Sequence, residues 1–185
     1  MHDLLIIGAG PAGMAAATTA ARHGLTVAVL DEQPAPGGQI YRGITEAGPR
    51  RAAILGPDYL EGAALAEGLA ASEVDVISGA TVWDLEVGPQ FTATYSQNGA
   101  PAQITARALI LATGALERPV PIPGWTLPGV MTAGAGQILL KASGVVPENA
   151  VLAGSGPLLY LLAVQMARAG MPPLALVETQ SRADF

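Results

Sequence analysis

At 185 residues the chain has room for one ordinary domain, or for one domain and part of another. Fifteen acidic against nine basic residues give a net charge of −6, which argues against nucleic acid and an anionic membrane surface as partners. There is no cysteine, so disulfides, thiolate metal sites, cysteine-held iron–sulfur clusters and a redox-active CxxC are excluded from this chain.

Residues 4–7 are a short apolar run ending at glycine, the pattern of a buried parallel strand. Residues 12–22 are alanine-rich and predict a helix stopped by Gly24. Residues 26–30 (TVAVL) read as a second buried strand ending at Asp31. A loop with Pro34, Pro36, Gly37 and Gly38 follows, then a poorly patterned segment through Pro57. Residues 59–71 predict a helix and 74–77 a third strand. From 80 to 107 the pattern changes: TVWDLEV, FTATYSQ and AQITAR alternate, separated by Gly88-Pro89 and Asn98-Gly99, which predicts an antiparallel meander. ALILATG, residues 108–114, then reads as another apolar strand running into a glycine. Residues 115–130, with Pro119, Pro121, Pro123 and Pro128, read as a connection, and 131–143 as a helix.

The uncharged stretch from Leu4 to Ala21 is near the minimum length of a transmembrane helix. Gly8, Gly10, Pro11 and Gly13 interrupt it, and the preceding flank carries Asp3 and no base, unlike a secretory leader. A cytoplasmic protein without membrane insertion is expected. His2 and His23 read as surface residues. No metal spacing, Ser/His/Asp set or carboxylate pair stands out, so no metal is expected and the catalytic residue stays unassigned.

Gly8-Ala9-Gly10-Pro11-Ala12-Gly13 fits a dinucleotide fingerprint in its expected strand–turn–helix setting. The first glycine permits the tight turn, the second lets backbone approach a pyrophosphate, and the third lets helix and strand pack closely. Proline donates no amide, but those of Ala12 and Gly13 can face an anion, aided by the positive end of the helix. Asp31 ends the next strand, where a carboxylate can take the hydroxyls of an adenosine ribose. NAD and FAD fingerprints look alike at this level. Three later features favour FAD: the unhindered Gly37-Gly38-Gln39 loop after the acid, the meander in place of a crossover helix, and the return as ILATG.

GAGPAG, Asp31, GGQ and ILATG, in this order, resemble the FAD half of the pyridine nucleotide-disulfide oxidoreductase superfamily. More narrowly, LDEQPAPGGQIYR, ATGALERPVPIPGWTLPGVMTAGAGQILLK and AGSGPLLYLLAVQMARAG are similar to flavoprotein subunits of hydrogen cyanide synthase, opine oxidase and D-hydroxyproline dehydrogenase. The resemblance implies an α/β fold: a Rossmann-like FAD-binding domain with a parallel sheet and inserted β-meander, then the start of a second Rossmann-like domain. It implies that Gly8, Gly10, Ala12 and Gly13, with Ala9 and Pro11 in the same turn, line the FAD pyrophosphate. Asp31, followed by Glu32 and Gln33, would hold the ribose, and Gly38 and Gln39 would lie along the phosphate–ribityl arm. Val82 would offer backbone to adenine, and Ala112, Thr113 and Gly114 would close over the cofactor. Tyr41 and Arg42 face either the flavin or a partner protein, with both options open.

The opening motif of the chain is written twice. Gly8, Gly10, Pro11, Arg22 and Gly24 recur at one constant offset as Gly154, Gly156, Pro157, Arg168 and Gly170, while Gly13 recurs as Leu159. The repeat predicts a second strand–turn–helix–strand unit ending at Glu178. It is a candidate second dinucleotide site built on Gly154, Gly156 and Glu178, with Glu178 disfavouring a 2′-phosphate. A side chain at position 159 should hold helix and strand apart, so a retained scaffold is the favoured reading and NAD as a second cofactor stays open. The expected domains are 1–118 (FAD-binding), 119–130 (connection) and 131–185 (the beginning of an incomplete NAD(P)-type domain). A unit with two strands cannot bury both sheet faces, so the chain reads as a fragment.

The function expected is that of an FAD-dependent oxidoreductase, and not a disulfide reductase, since no thiol pair is present. The chain would belong to an amine-, amino-acid- or opine-type dehydrogenase with a small-molecule substrate, a non-NAD acceptor and a second dehydrogenase subunit. The alternatives are a catalytically silent relay or assembly protein, and an NAD-dependent dehydrogenase.

Overall fold

The computed structural model describes residues 1–181. The expected end of the second domain at Phe185 lies outside the described residues. Two compact units are present: Met1–Ala47 with Asp58–Ala115, and Gly48–Pro57 with the chain from Leu116 onward.

In the first unit, β1 (His2–Ile7), helix α1 (Pro11–Arg22) and β2 (Val27–Asp31) follow in the expected order. A 3₁₀ turn (Ile44–Glu46) comes next, then helix α2 (Pro49–Leu55), which belongs to the second unit. Helix α3 (Pro57–Ala70) and β3 (Asp75–Ser78) return to the first. Then come β4 (Thr81–Val87), β5 (Phe91–Gln97) and β6 (Ala100–Leu111). The six strands form one sheet in the order β3-β2-β1-β6-β5-β4. β3, β2, β1 and β6 run parallel, while β6, β5 and β4 form the antiparallel meander. β2 is buried along its whole length, because helices and neighbouring strands leave neither face to water. Leu5, Ala28, Leu30, Ala80, Ala93, Tyr95 and Ala106 form the core that joins the parallel and antiparallel halves.

The meander's last strand and the apolar ALIL strand, which the sequence separates, are a single twelve-residue strand. Residues 100–106 of β6 pair with β5 and residues 106–111 pair with β1, with Ala106 matched on both sides. Nothing between Arg107 and Ala108 breaks the chain; the change from alternating to continuous apolar residues marks a change of neighbours, not an end. The unpatterned stretch before Pro57 also contains α2. Its start signal is Gly48-Pro49, with proline at the first helical position, and its stop is Gly56 at φ +93°.

In the second unit, α4 (Ala133–Ser143) begins at Thr132, whose hydroxyl accepts from the Ala135 amide at 3.3 Å, and stops at Gly144 in the left-handed region. β7 (Val151–Gly154), α5 (Pro157–Arg168) and β8 (Ala175–Glu178) make the repeated unit, with Val151 paired to Ala175 and Gly154 to Glu178. α2 and α4 both lie against α5, which buries Leu159, Leu162, Ala163 and Met166. Among the described residues no helix is long and apolar enough to cross a membrane.

At the amino-terminal edge of the first sheet, Asp3 clamps three strands. Its carboxylate accepts from the Thr26 hydroxyl at 2.6 Å and the Thr26 amide at 3.0 Å, and Arg107 reaches it at 3.1 Å. The Thr26 hydroxyl, then the Thr26 amide, hold the Asp3 carboxyl below its usual range against a smaller opposing effect of burial. A depressed native pKa contributes stability that is present above the unfolded value and lost as pH falls through the folded one. Asp3→Asn should therefore melt below the unsubstituted protein near neutral pH, with the gap closing on acidification. Thermal melts across an acid series check this; a gap that stays constant contradicts it.

Candidate functional site

Register brings the predicted site residues to one edge. Ile7 pairs with Leu30 on one side and Leu111 on the other, so β1 and β6 end level and β2 runs one residue further, to Asp31. The residues that follow, Gly8, Asp31 and Ala112, therefore meet at the carboxyl edge of the parallel strands, where open α/β sheets place ligands. The Gly8 amide donates to Leu30 O at 2.7 Å and the Ala112 amide to Ile7 O at 2.8 Å.

Each glycine of the turn has a separate reason to be bare. Gly8 sits at φ +106°, and a Cβ there would approach the Ala112 carbonyl carbon to 2.8 Å. A Cβ on Gly13 would collide with the Gly8 carbonyl oxygen, so only glycine lets α1 lie against the turn. Gly10 differs. It caps α1 with ordinary dihedrals (φ −71°, ψ −177°), and a Cβ there would meet only the Gly38 Cα, at 3.9 Å. A methyl fits beside Gly10 at an ordinary contact distance.

No side chain caps α1, and the Pro11 nitrogen carries no hydrogen. Among the described residues the amides of Gly10, Ala12 and Gly13 make no hydrogen bond, as expected for a first helical turn awaiting an anion. Asp31, 9% exposed, accepts from the Ala9 amide and, at 2.7 Å, from the Gln33 amide. It is turned toward the glycine turn, and two of a carboxylate's roughly four acceptor positions remain for hydroxyl donors. A glycine turn, unbonded amides and a carboxylate with acceptors to spare fit a dinucleotide's diphosphate and adenosine ribose.

The Gly-Gly-Gln loop lies beside this turn. The Gly37 amide donates to Ala9 O at 2.9 Å, and a Cβ on Gly38 would come within 2.9 Å of the Gly10 Cα. Gln39 Nε2 donates to Ala115 O at 3.0 Å, tying the loop to the segment after Ala112, Thr113 and Gly114. Thr113 and Gly114 are exposed. Val82 is partly buried and packs its side chain against the core. The start of its strand is anchored by Ala80 N to Asp31 O, 2.8 Å, and Gly79 N to Gln33 O, 3.0 Å. Glu32 is exposed and accepts from Gln33 Nε2 at 3.0 Å.

Arg42 is brought in by contacts that its place in the sequence does not announce. Nη1 donates to Gln33 Oε1, Nε is buried without a partner among the described residues, and its carbonyl accepts from the Tyr59 hydroxyl at 2.9 Å. Tyr41 packs inside the unit, its ring centre 6.5 Å from that of Tyr59 and lying over Gly62.

The second turn stands in its own unit. Gly154 (φ +151°) and Gly156 (φ +91°) lead into α5, and Thr179 N donates to Gly154 O at 2.9 Å. Glu178 accepts from the Tyr160 hydroxyl at 2.8 Å and the Gln180 amide at 3.0 Å. Among the described residues no cluster of side chains is arranged to hold a metal.

A parallel sheet edge, a glycine turn into a helix and an acid ending the next strand define a Rossmann-type dinucleotide-binding protein. A sequence profile of the family described as pyridine nucleotide-disulphide oxidoreductase matches residues 2–183. The chain belongs to this family of FAD-dependent oxidoreductases. It is 56% identical to an opine oxidase subunit of Agrobacterium tumefaciens (strain Ach5), over 96% of this chain and 37% of that protein. It is 40% identical to the hydrogen cyanide synthase protein HcnB of Pseudomonas protegens, over 90% of this chain and 36% of that protein. The chain thus spans little more than a third of these relatives. The fold is shared with the crystal structure of L-proline dehydrogenase from P. horikoshii, at a TM-score of 0.75 and 23% identity, covering 96% of this chain and 35% of that one.

The two kinds of glycine separate by substitution. Gly13→Ala should cost about 1–3 kcal/mol, because packed backbone must move to admit the methyl. Gly10→Ala should leave the melting temperature nearly unchanged and weaken dinucleotide binding at least 10-fold, because its methyl enters the turn. Paired melting and ligand-titration measurements check both; equal destabilisation by the two substitutions contradicts the assignment.

Proposed function

We propose that the first glycine turn seats the diphosphate of FAD. The chain then forms part of the flavoprotein subunit of an amine-, amino-acid- or opine-type dehydrogenase. That subunit works with a second one and passes electrons from a small-molecule substrate to an acceptor other than NAD. The observation that carries this reading is the glycine turn itself, with three amides unbonded among the described residues and the Asp31 carboxylate tied to Ala9 of the same turn. The identities to subunits of an opine oxidase and of a hydrogen cyanide synthase support the substrate class and the existence of a partner.

Each residue has a distinct task. The amides of Gly10, Ala12 and Gly13 donate to the diphosphate, and the helix end adds roughly half a positive charge. Asp31 accepts from the ribose hydroxyls while its bonds to Ala9 and Gln33 fix its direction. Gly38 and Gln39 border the phosphate–ribityl arm, Val82 offers main chain to adenine, and Ala112, Thr113 and Gly114 border the cofactor beyond the sheet edge. When bound, FAD supplies the redox chemistry, and the protein supplies position and electrostatics. Glu32 is exposed and belongs to the rim of the ribose end.

Release of the cofactor from protein purified under native conditions, followed by mass spectrometry, should yield FAD, and Asp31→Ala should lower FAD affinity at least 10-fold. Recovery of NAD in its place would convert the reading to a nicotinamide enzyme. A colourless, folded protein that takes up no flavin would leave an assembly role.

A further inference from the structure

The second glycine turn repeats the sequence of the first but not its path, since Gly156 stands at φ +91° where Gly10 stands at φ −71°. Leu159 stands at the position of Gly13 and is 4% exposed, its side chain inside the unit. The amide at that position also differs. Gly13 N makes no bond among the described residues, whereas Leu159 N donates to Gly156 O at 3.2 Å. Among the described residues the Gly156 and Leu158 amides, like those of Gly10 and Ala12, make no hydrogen bond, so the two turns differ in this one donor.

The strand-end acids differ as well. Each acid accepts one bond per oxygen, so the difference lies in the donor: Asp31 is held by backbone amides, one of them that of Ala9 in its own glycine turn. Glu178 is drawn to the helix: one oxygen accepts from the Tyr160 hydroxyl at 2.8 Å and the other from the Gln180 amide at 3.0 Å. A ribose presents two neighbouring hydroxyls, and both need acceptor positions on one correctly aimed carboxylate. Gly154 and Gly156 have open space where a Cβ would stand, so no close backbone approach forces glycine there beyond the positive φ.

We infer that Tyr160 closes the second turn to dinucleotides, its hydroxyl occupying the Glu178 carboxylate that a ribose would otherwise engage. With the Leu159 side chain buried and its amide bonded to Gly156 O, the turn acts as a structural clasp between β7, α5 and β8. It is not an entry point for NAD(P)H. This assignment concerns the second unit alone and stands apart from what the first turn binds. The local electrostatics agree: the Gln180 amide, then the Tyr160 hydroxyl, hold Glu178 below the usual carboxylate range, and Glu178 pushes the Tyr160 hydroxyl above its ordinary value. Both partners therefore keep the protonation states that their bond needs across neutral pH.

The test is calorimetric titration of NADH into the flavin-loaded chain and into Tyr160→Phe and Leu159→Gly/Tyr160→Phe, each checked for folding by circular dichroism. The unsubstituted protein should show no saturable binding up to about 1 mM, where binding energy is only about −4 kcal/mol. The double variant should bind at least 10-fold more tightly, with part of that gain in Tyr160→Phe. Ultraviolet titration should show one tyrosine ionising later than it does in Glu178→Gln. Saturable binding to the unsubstituted protein that Glu178→Gln weakens and Gly10→Ala does not would overturn the inference. So would a folded double variant that binds no better, or tyrosine titration curves that Glu178→Gln leaves unmoved.

Discussion

Backbone meeting backbone at the carboxyl edge of the sheet is the constraint on which the first unit depends. Gly8 lies against the Ala112 carbonyl, Gly13 against the Gly8 carbonyl, and Gly38 against the Gly10 Cα. Interiors are close-packed, so one methyl at such a contact forces rearrangement. These approaches bring the helix end, the returning strand β6 and the Gly-Gly-Gln loop around one opening. Asp31 adds a polar tie by holding the Ala9 amide from the neighbouring strand. Stability and ligand recognition draw on the same residues, yet at Gly10 a methyl would meet only the Gly38 Cα, at an ordinary contact distance of 3.9 Å.

The legible parts of this arrangement were local ones. The strand, turn, helix and strand through Asp31 follow from an apolar run, three glycines, an alanine-rich stretch and a terminal acid, all near one another in sequence. β6 was less legible, because its periodicity changes when its neighbour changes from β5 to β1, and a change of period looks like a break. α2 is short, carries Arg50 and Arg51, and has little apolar pattern; its place against α5 comes from a contact far along the chain. Asp31's bond to Ala9 and the tie from Gln39 to Ala115 also needed coordinates, since neither partner is marked by residue type.

The repeated turn shows how far a motif can be read. Sequence gives the scaffold faithfully: β7, glycines, α5 and β8 occupy the expected order. Whether that scaffold binds anything depends on which donors and acceptors remain free. Among the described residues three amides and part of a carboxylate remain at the first turn; at the second, the Gly156 and Leu158 amides remain, the Leu159 amide is bonded within the turn and Tyr160 holds the acid. Leu159 hinted at the difference, but Tyr160 lay in an apolar helical stretch where its hydroxyl carried no signal. A glycine count describes the path of the chain, and hydrogen-bond bookkeeping describes its chemistry.

The central claim is that main-chain amides of the first turn grip the cofactor diphosphate. Amide-resolved nuclear magnetic resonance during titration with FAD tests it most directly. The account predicts that the Gly10, Ala12 and Gly13 amide resonances shift strongly and saturate together with flavin fluorescence, while that of Leu159 stays in place. Saturable flavin binding that leaves those three resonances unmoved would contradict it.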